Sequence, residues 1–238
     1  MIGISPTRPP ILVALAAALV MAFAPAPRTH AQETSVRPGI NDPYRDPDVD
    51  EWVDRLEAED RVIFEYRHAI VAALALEPGM EVADVGAGTG FLTLMMARVV
   101  GPEGRIYAVD VVPEFLDHVT KGAAAAGLAN VATVLGDQRS TRLEPLSVDL
   151  ILVSDTYHHF EFPRHTLASL HAALRDDGRM VVVDFERVEG VSPPFAIEHV
   201  RAGRGTVTDE IKNAGFDLLR EIPLMEHEGQ YYLEFGKR

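Results

Sequence analysis

Three groups of residues have types and spacings that could do chemistry. The first is the run "EVADVGAGTGFLTL", where Gly86, Gly88 and Gly90 fall within five positions, between an apolar stretch and a helical one. Glycine lets the main chain turn tightly and pass close to a ligand. A helix that opens at such a turn offers unpaired amide donors, so a polar group belongs there. Asp84 precedes the turn, and Ala87 and Thr89 complete it. The spacing G-A-G-T-G departs from the dinucleotide pattern G-x-G-x-x-G. The second group is Asp110, twenty residues beyond Gly90 at the end of "RIYAVD". A carboxylate there can accept hydrogen bonds from both hydroxyls of a ribose; taken alone, it could equally cap the helix that follows. The third group is split between "VLGDQRS", with Gly136, Asp137 and Gln138, and "VDLILVSDTYHHF", with Asp155, Tyr157, His158 and His159. Asp137 could accept from an adenine amino group with Gln138 alongside, and a histidine can take a proton near neutral pH. No metal is expected. His158 and His159 are adjacent rather than four apart on one helix, and His165 and His171 should lie on a covering helix and point different ways.

These residues need a scaffold that brings them to one place. Apolar strand-like runs occur at 82–85, 106–109, 131–135, 148–153 and 180–183, and helical patterns at 92–100, 113–126 and 164–174 separate most of them. Continuously apolar strands alternating with helices predict a parallel sheet covered on both faces, with right-handed crossovers. The fold class is therefore α/β, doubly wound and Rossmann-like. All the candidate residues then sit at the carboxyl ends of strands, where open parallel sheets bind ligands. Two further strand-like runs, "GFDLLREIPL" and "GQYYLEFGKR", have only a short polar link between them and predict an antiparallel hairpin at one edge. Ahead of the sheet, Trp52, Leu56, Ile63, Tyr66, Ile70 and Leu74 recur at mostly three- and four-residue spacing. They predict two helices or one bent one, stopped by Pro78 and Gly79.

In order and spacing, the "VADVGAGTG" loop, Asp110, the "GD" pair at 136 and 137, the "VDLILVSDTYHHF" strand end and "LHAALRDDGRMVVVDF" resemble the class I S-adenosylmethionine-dependent methyltransferases. The likeness covers about residues 50–238, and the terminal hairpin fits that family's seven-stranded sheet with a reversed last strand. The resemblance implies S-adenosyl-L-methionine as cofactor. It would place Asp84 and the main chain of Gly86, Ala87, Gly88, Thr89 and Gly90 around the methionine part, Asp110 on the ribose, and Asp137 with Gln138 on the adenine. Asp155 and Tyr157 would border the sulfonium and the acceptor, and His158 or His159 would either take the acceptor's proton or serve in packing. It also implies that residues 50–77 lie across the crevice as a lid. Trp52, Phe64 and Tyr66 could wall it, while Arg55, Arg67, His68, His199, Arg201 and Arg204 are candidates for acceptor contacts.

Composition narrows the partners. The 238 residues are 47% hydrophobic and 24% charged, enough apolar content for a packed interior. With 22 basic against 36 acidic side chains the formal charge is −14, and the basic residues are scattered, so nucleic acid is not expected as a partner. The amino-methylating "N/D-P-P-Y" signature is also missing. A small-molecule acceptor fits better. Cysteine is absent, which removes disulfides, thiolate metal ligands and a cysteine nucleophile. Residues 1–31 have the layout of a secretory signal: Arg8, an apolar run over 11–24, and small residues at Thr29 and Ala31 that predict cleavage after Ala31. The run is short for a permanent membrane anchor, so a periplasmic or secreted product is expected, with contact to a membrane only if the signal stays uncleaved. Residues 32–49 form an irregular lead-in rich in Pro, Gly, Asp and Asn, and residues 50–238 form one domain. Two other readings stay open: a nicotinamide-dependent oxidoreductase, disfavoured by the glycine spacing and the lack of a Tyr-x-x-x-Lys pair, and an exported nucleoside-binding protein without catalysis.

Overall fold

Asp48 starts the helical part of the chain, its carboxylate accepting from the amides of Asp50 and Glu51 at the head of α1 (Val49–Leu56). Such capping satisfies donors that the first turn leaves unpaired. Two short helices follow, α2 (Val62–Glu65) and α3 (Arg67–Ala73), bent against each other at Tyr66. In this computed structural model residues 32–225 and 228–238 are described, so the predicted signal at 1–31 lies outside the described residues. Residues 32–48 hold one 3-10 turn, at Asp42–Tyr44, and no other helix or strand. This lead-in is nevertheless packed on the domain, with the Val36 amide donating to the Glu161 carbonyl at 2.9 Å.

The sheet has seven strands. β1 (Glu81–Val85), β2 (Arg105–Asp110), β3 (Val131–Leu135), β4 (Val148–Ser154) and β5 (Leu174–Phe185) are parallel, and β6 (Phe216–Glu221) and β7 (Gln230–Lys237) complete it in the order β3-β2-β1-β4-β5-β7-β6. β7 runs antiparallel to both β5 and β6, as the terminal hairpin predicts. One detail differs from the sequence expectation. The helical pattern at 164–174 and the strand-like run at 180–183 imply a break between them; instead β5 begins at Leu174 and holds the irregularity inside it, the register jumping from Val148↔Leu174 to Leu150↔Arg179. An extra stretch accommodated within a strand in this way bends the strand without ending it.

Alternating strand residues divide the core between the two faces. On one face Val82, Ile106, Leu150 and Val181 pack under α3 and α4 (Phe91–Val100), with α5 (Pro113–Ala125) alongside. On the other, Ala83, Ile151, Val153 and Val182 pack under α6 (Pro163–Ala173) and α8 (Arg204–Asn213). α7 (Pro194–His199) and α8 occupy the stretch between β5 and β6, where the sequence pattern had shown no clear element.

The connection after β1 goes to one face and that after β4 to the other, so the two loops part between neighbouring strands. That is the switch point at which an open parallel sheet leaves a crevice. The far end of the same layer is held by Asn130, buried, whose Nδ2 donates to the carbonyls of Ala97 and Gly101 at 2.8 Å each. Asn130→Ala would strand both acceptors at the end of α4; a loss of about 1–3 kcal/mol is expected in urea denaturation, and an unchanged midpoint would show that water replaces the amide.

Candidate active site

The crevice lies at the carboxyl ends of β1, β2, β3 and β4 and encloses about 800 Å³. Its floor is the glycine turn. Gly90 has φ +82°, and a Cβ there would stand 2.5 Å from Val119 Cγ2 on α5; one at Gly86 would overlap the side chain of Thr156. These two glycines therefore permit close packing under the loop. Gly88 is different: its amide donates to Asp110 Oδ2 at 2.9 Å, and around its missing Cβ only Leu56 comes near, at 3.4 Å. Asp110 is buried, and its other oxygen accepts from the Val112 amide at 3.0 Å. A carboxylate has about four acceptor positions, so capacity remains for a ligand. Burial raises the Asp110 pKa, and the amides of Gly88 and Val112 pull it down.

Asp84 sits beneath the turn, fully buried, its Oδ2 accepting from Thr93 Oγ1 at 2.5 Å; burial pushes its pKa up to about 6. No side chain caps α4, which opens directly from the turn at Gly90. Thr89 Oγ1 and Ser154 Oγ line the crevice and are buried without a hydrogen-bond partner. Buried hydroxyls in this state call for a polar ligand or water. This donor and acceptor set fits the cofactor that the sequence resemblance implies.

On the third strand's end, Asp137 and Gln138 both line the crevice. Asp137 is exposed, and its own loop uses its carboxylate: Oδ1 accepts from the amides of Arg139 and Ser140, and Oδ2 from Arg142. The amide of Arg139 leads the contacts that hold its pKa down. Gln138 Oε1 accepts from Asn41 Nδ2 at 3.0 Å. Asp155 lies at the end of β4 in the left-handed region, φ +52°, and is ion-paired with Arg61.

Tyr157 is not in the crevice. Its ring is buried in the α6–α8 core layer, and its hydroxyl donates to Glu210, which also holds Arg201. A 3-10 turn at Tyr157–His159 sends it to that side and brings both following histidines to the crevice. Arg201 and Arg204 are likewise spent on structural ion pairs, with Glu210 and with Glu186 and Glu221. Phe64 packs on Phe91, while Trp52 stands in the crevice wall.

Asn41, Tyr44 and Asp184 were not among the residues singled out in the sequence, and His199 was expected there only as an acceptor contact. Asn41 and Tyr44 come from the irregular lead-in: Tyr44 stacks on Trp52 at 4.6 Å and meets His159 edge-on at 5.3 Å. Asp184, on β5, is buried, and its Oδ1 lies 2.7 Å from His158 Nδ1. His199 reaches the pair from α7, its Nε2 3.4 Å from His159 Nε2. Adjacency of 158 and 159 had argued against convergence, but the turn and the third histidine produce it. Burial, with His158 and His199 close by, lowers the His159 pKa to about 2. An imidazole so weakly basic is a poor proton acceptor at neutral pH.

A family model described as a methyltransferase domain matches residues 76–233. The protein-L-isoaspartate O-methyltransferase of Methanothrix thermoacetophila is 34% identical over 109 residues, 46% of this chain and 49% of that one. The enzyme of the same name from Ignicoccus hospitalis is 27% identical over 159 residues, 67% of this chain and 69% of that one. The chain thus spans about half to two-thirds of the length of these curated relatives. Among solved structures, a SAM-dependent methyltransferase from Aquifex aeolicus superposes with a TM-score of 0.70 at 23% identity, covering 81% of this chain and all of the other.

The packing under the turn is testable without a ligand. Gly90→Ala is expected to cost about 1–2 kcal/mol from its backbone conformation and about 1–3 kcal/mol from overlap with Val119. In a Val119→Ala background the cost should shrink, read as a coupling in thermal melts; equal costs in the two backgrounds would contradict the contact.

Proposed function

The chain belongs to the methyltransferase-domain family, as a class I S-adenosylmethionine-dependent enzyme, and from that premise we propose that it is exported and methylates a small-molecule acceptor in the crevice described above. The observation that carries the site assignment is Asp110: a buried carboxylate, held by two main-chain amides and with acceptor capacity left, beside an open glycine turn. In this reading Asp110 accepts from the ribose hydroxyls. The amides at the head of α4, with Asp84 beneath them, receive the charged methionine end. Gln138, steadied by Asn41, and the loop held by Asp137 border the adenine.

The cofactor, when bound, supplies a methyl group already activated by a positive sulfur. What this chain contributes is alignment of the acceptor and exclusion of water. Tyr44 and Trp52 wall the crevice from the lead-in and α1, and the Arg61–Asp155 pair fixes the end of β4 beside it. Such an enclosure suits a small molecule. A volume of about 800 Å³ lies in the upper part of the usual range for small-molecule sites, about 300–1,000 Å³. A second reading follows from the names of the relatives: an isoaspartyl side chain of a peptide as the acceptor. Export is supported by the three-part pattern of residues 1–31. Among the described residues no helix is long and apolar enough to cross a membrane.

The acceptor is tested by incubating the protein with labelled S-adenosylmethionine and either a metabolite extract or an isoaspartyl peptide, followed by mass spectrometry. Label in a small metabolite is expected; label in the peptide alone would transfer the assignment to the second reading. N-terminal sequencing of the protein recovered from the periplasm of a Gram-negative expression host should begin at Gln32, and retention in the cytoplasm with Met1 intact would contradict export.

Asp110→Ala should weaken S-adenosylmethionine binding by about 1.5–3 kcal/mol, the scale of a hydrogen bond to a charged group, and an unchanged Kd would remove Asp110 from the site. Asp84 is anionic above its pKa of about 6 and neutral below it. Its attraction for the cofactor's ammonium is therefore present above that pH and lost as pH falls through it. Calorimetry should show affinity declining on acidification, with Asp84→Asn flattening the profile.

A further inference from the structure

The three crevice histidines have a geometry that neither methyl transfer nor packing requires. One ring nitrogen from each of His158, His159 and His199 lies within 4.8 Å of the other two. His159 Nε2 and His199 Nε2 are 3.4 Å apart. Two nitrogens bound tetrahedrally to one zinc ion at about 2.0–2.1 Å would themselves stand about 3.3–3.4 Å apart.

The neighbours fix which nitrogens are free. Asn41 uses its Nδ2 to donate to Gln138 Oε1 and to the His159 carbonyl, which leaves its Oδ1 to accept from His159 Nδ1–H at 3.1 Å. The lone pair of His159 is then on Nε2, facing His199. Asp184 Oδ1 accepts from His158 Nδ1–H at 2.7 Å, while the same carboxylate takes the amides of His158 and Phe185. The lone pair of His158 is then also on Nε2. A carboxylate or amide oxygen on the far nitrogen is the usual support for a metal-bound imidazole, fixing its tautomer and its ring. With the histidine pair placed between such supports and the crevice, their use as hydrogen-bond donors into the site is ruled out in the neutral state.

We propose that His158, His159 and His199 form a binding site for a divalent cation of the zinc class, with a fourth position open to the crevice. Three neutral imidazoles suit zinc, cobalt, nickel or copper rather than magnesium or calcium, which prefer oxygen. The carboxylate of Asp184, bound to the far nitrogen of His158, offsets the ion's charge, while that of Asp155 is paired with Arg61. Tyr44 Oη, 3.4 Å from His159 Nε2, marks the rim of the fourth position. The fourth ligand would be a thiol or hydroxyl of the acceptor, which gives up its proton to solvent on coordination because the ion favours the anion. That last role rests on the methyl-transfer reading of the crevice; the metal site does not.

The test uses the untagged full chain, stripped with a chelator and titrated with zinc by calorimetry, then with cobalt, whose visible spectrum reports tetrahedral coordination. One ion per chain and a tetrahedral cobalt spectrum are expected. His159→Gln and His199→Gln should each lower zinc affinity by 100-fold or more. Asp184→Asn, a positioning change, should lower it about 10–100-fold. His118→Gln, on α5 and outside the crevice lining, should leave it unchanged. Thermal melts and S-adenosylmethionine binding by each stripped variant report whether it folds; since His199 lies on a short, partly exposed helix, its variant keeps the test usable if a His159 variant does not fold. Absence of zinc binding, or binding that survives both histidine substitutions, overturns the proposal. S-adenosylmethionine binding without zinc binding overturns it while leaving the cofactor reading intact. Zinc binding without S-adenosylmethionine binding supports it and counts against the cofactor reading instead.

Discussion

A carboxylate buried at the end of a parallel strand has to be held by donors, and at Asp110 the donors are main-chain amides. The bond from the Gly88 amide joins the first loop of the sheet to the second strand, and the Val112 amide closes the other side. Because both partners are backbone, the carboxylate is positioned by the fold itself and keeps free lone pairs toward the crevice. The loop can approach so closely because Gly86 and Gly90 have no side chain to collide with Thr156 and Val119. Methyl transfer needs little more from such a floor than a fixed place for the nucleoside, since the reactive carbon is activated by the cofactor.

The opposite wall is built differently, from side chains supplied by distant parts of the chain. The lead-in contributes Asn41 and Tyr44, β4 and its turn contribute Asp155, His158 and His159, and α7 contributes His199. Asn41 binds Gln138 and His159 at once, so the segment expected to be a mere lead-in ties together the loops that follow β3 and β4. Arg61, at the N-cap of α2, holds Asp155 by an ion pair. The floor is thus main chain held by the sheet, while the wall is made of side chains from several separate segments, consistent with function residing in sites carried by a common fold.

The sheet was legible because period and length leave few alternatives. Continuously apolar runs such as 148–153 between amphipathic helices allow a covered parallel sheet and little else, and the two terminal runs without a helix between them force a reversed edge. Gly86, Gly88, Gly90 and Asp110 were legible for a related reason: local spacing alone puts them at adjoining strand ends. Tyr157 was not, because a single 3-10 turn decides which of three consecutive rings faces the crevice, and neither periodicity nor composition encodes that turn. Asp184, Asn41 and Arg61 stayed hidden, and His199 was read only as an acceptor contact, because their meaning lies in contacts across more than twenty residues of chain. The one available signal was the acid in "VVVDF", a charge ending an apolar strand, which a buried partner has to explain.

A crystal structure of the protein with S-adenosylhomocysteine tests the central claim most directly. The account predicts both ribose hydroxyls on the carboxylate of Asp110, with the Gly88–Asp110 bond intact and the amino acid end over the turn at 86–90. A nucleoside bound away from Asp110, or a carboxylate that meets only its two backbone amides while the ligand lies elsewhere, would contradict it.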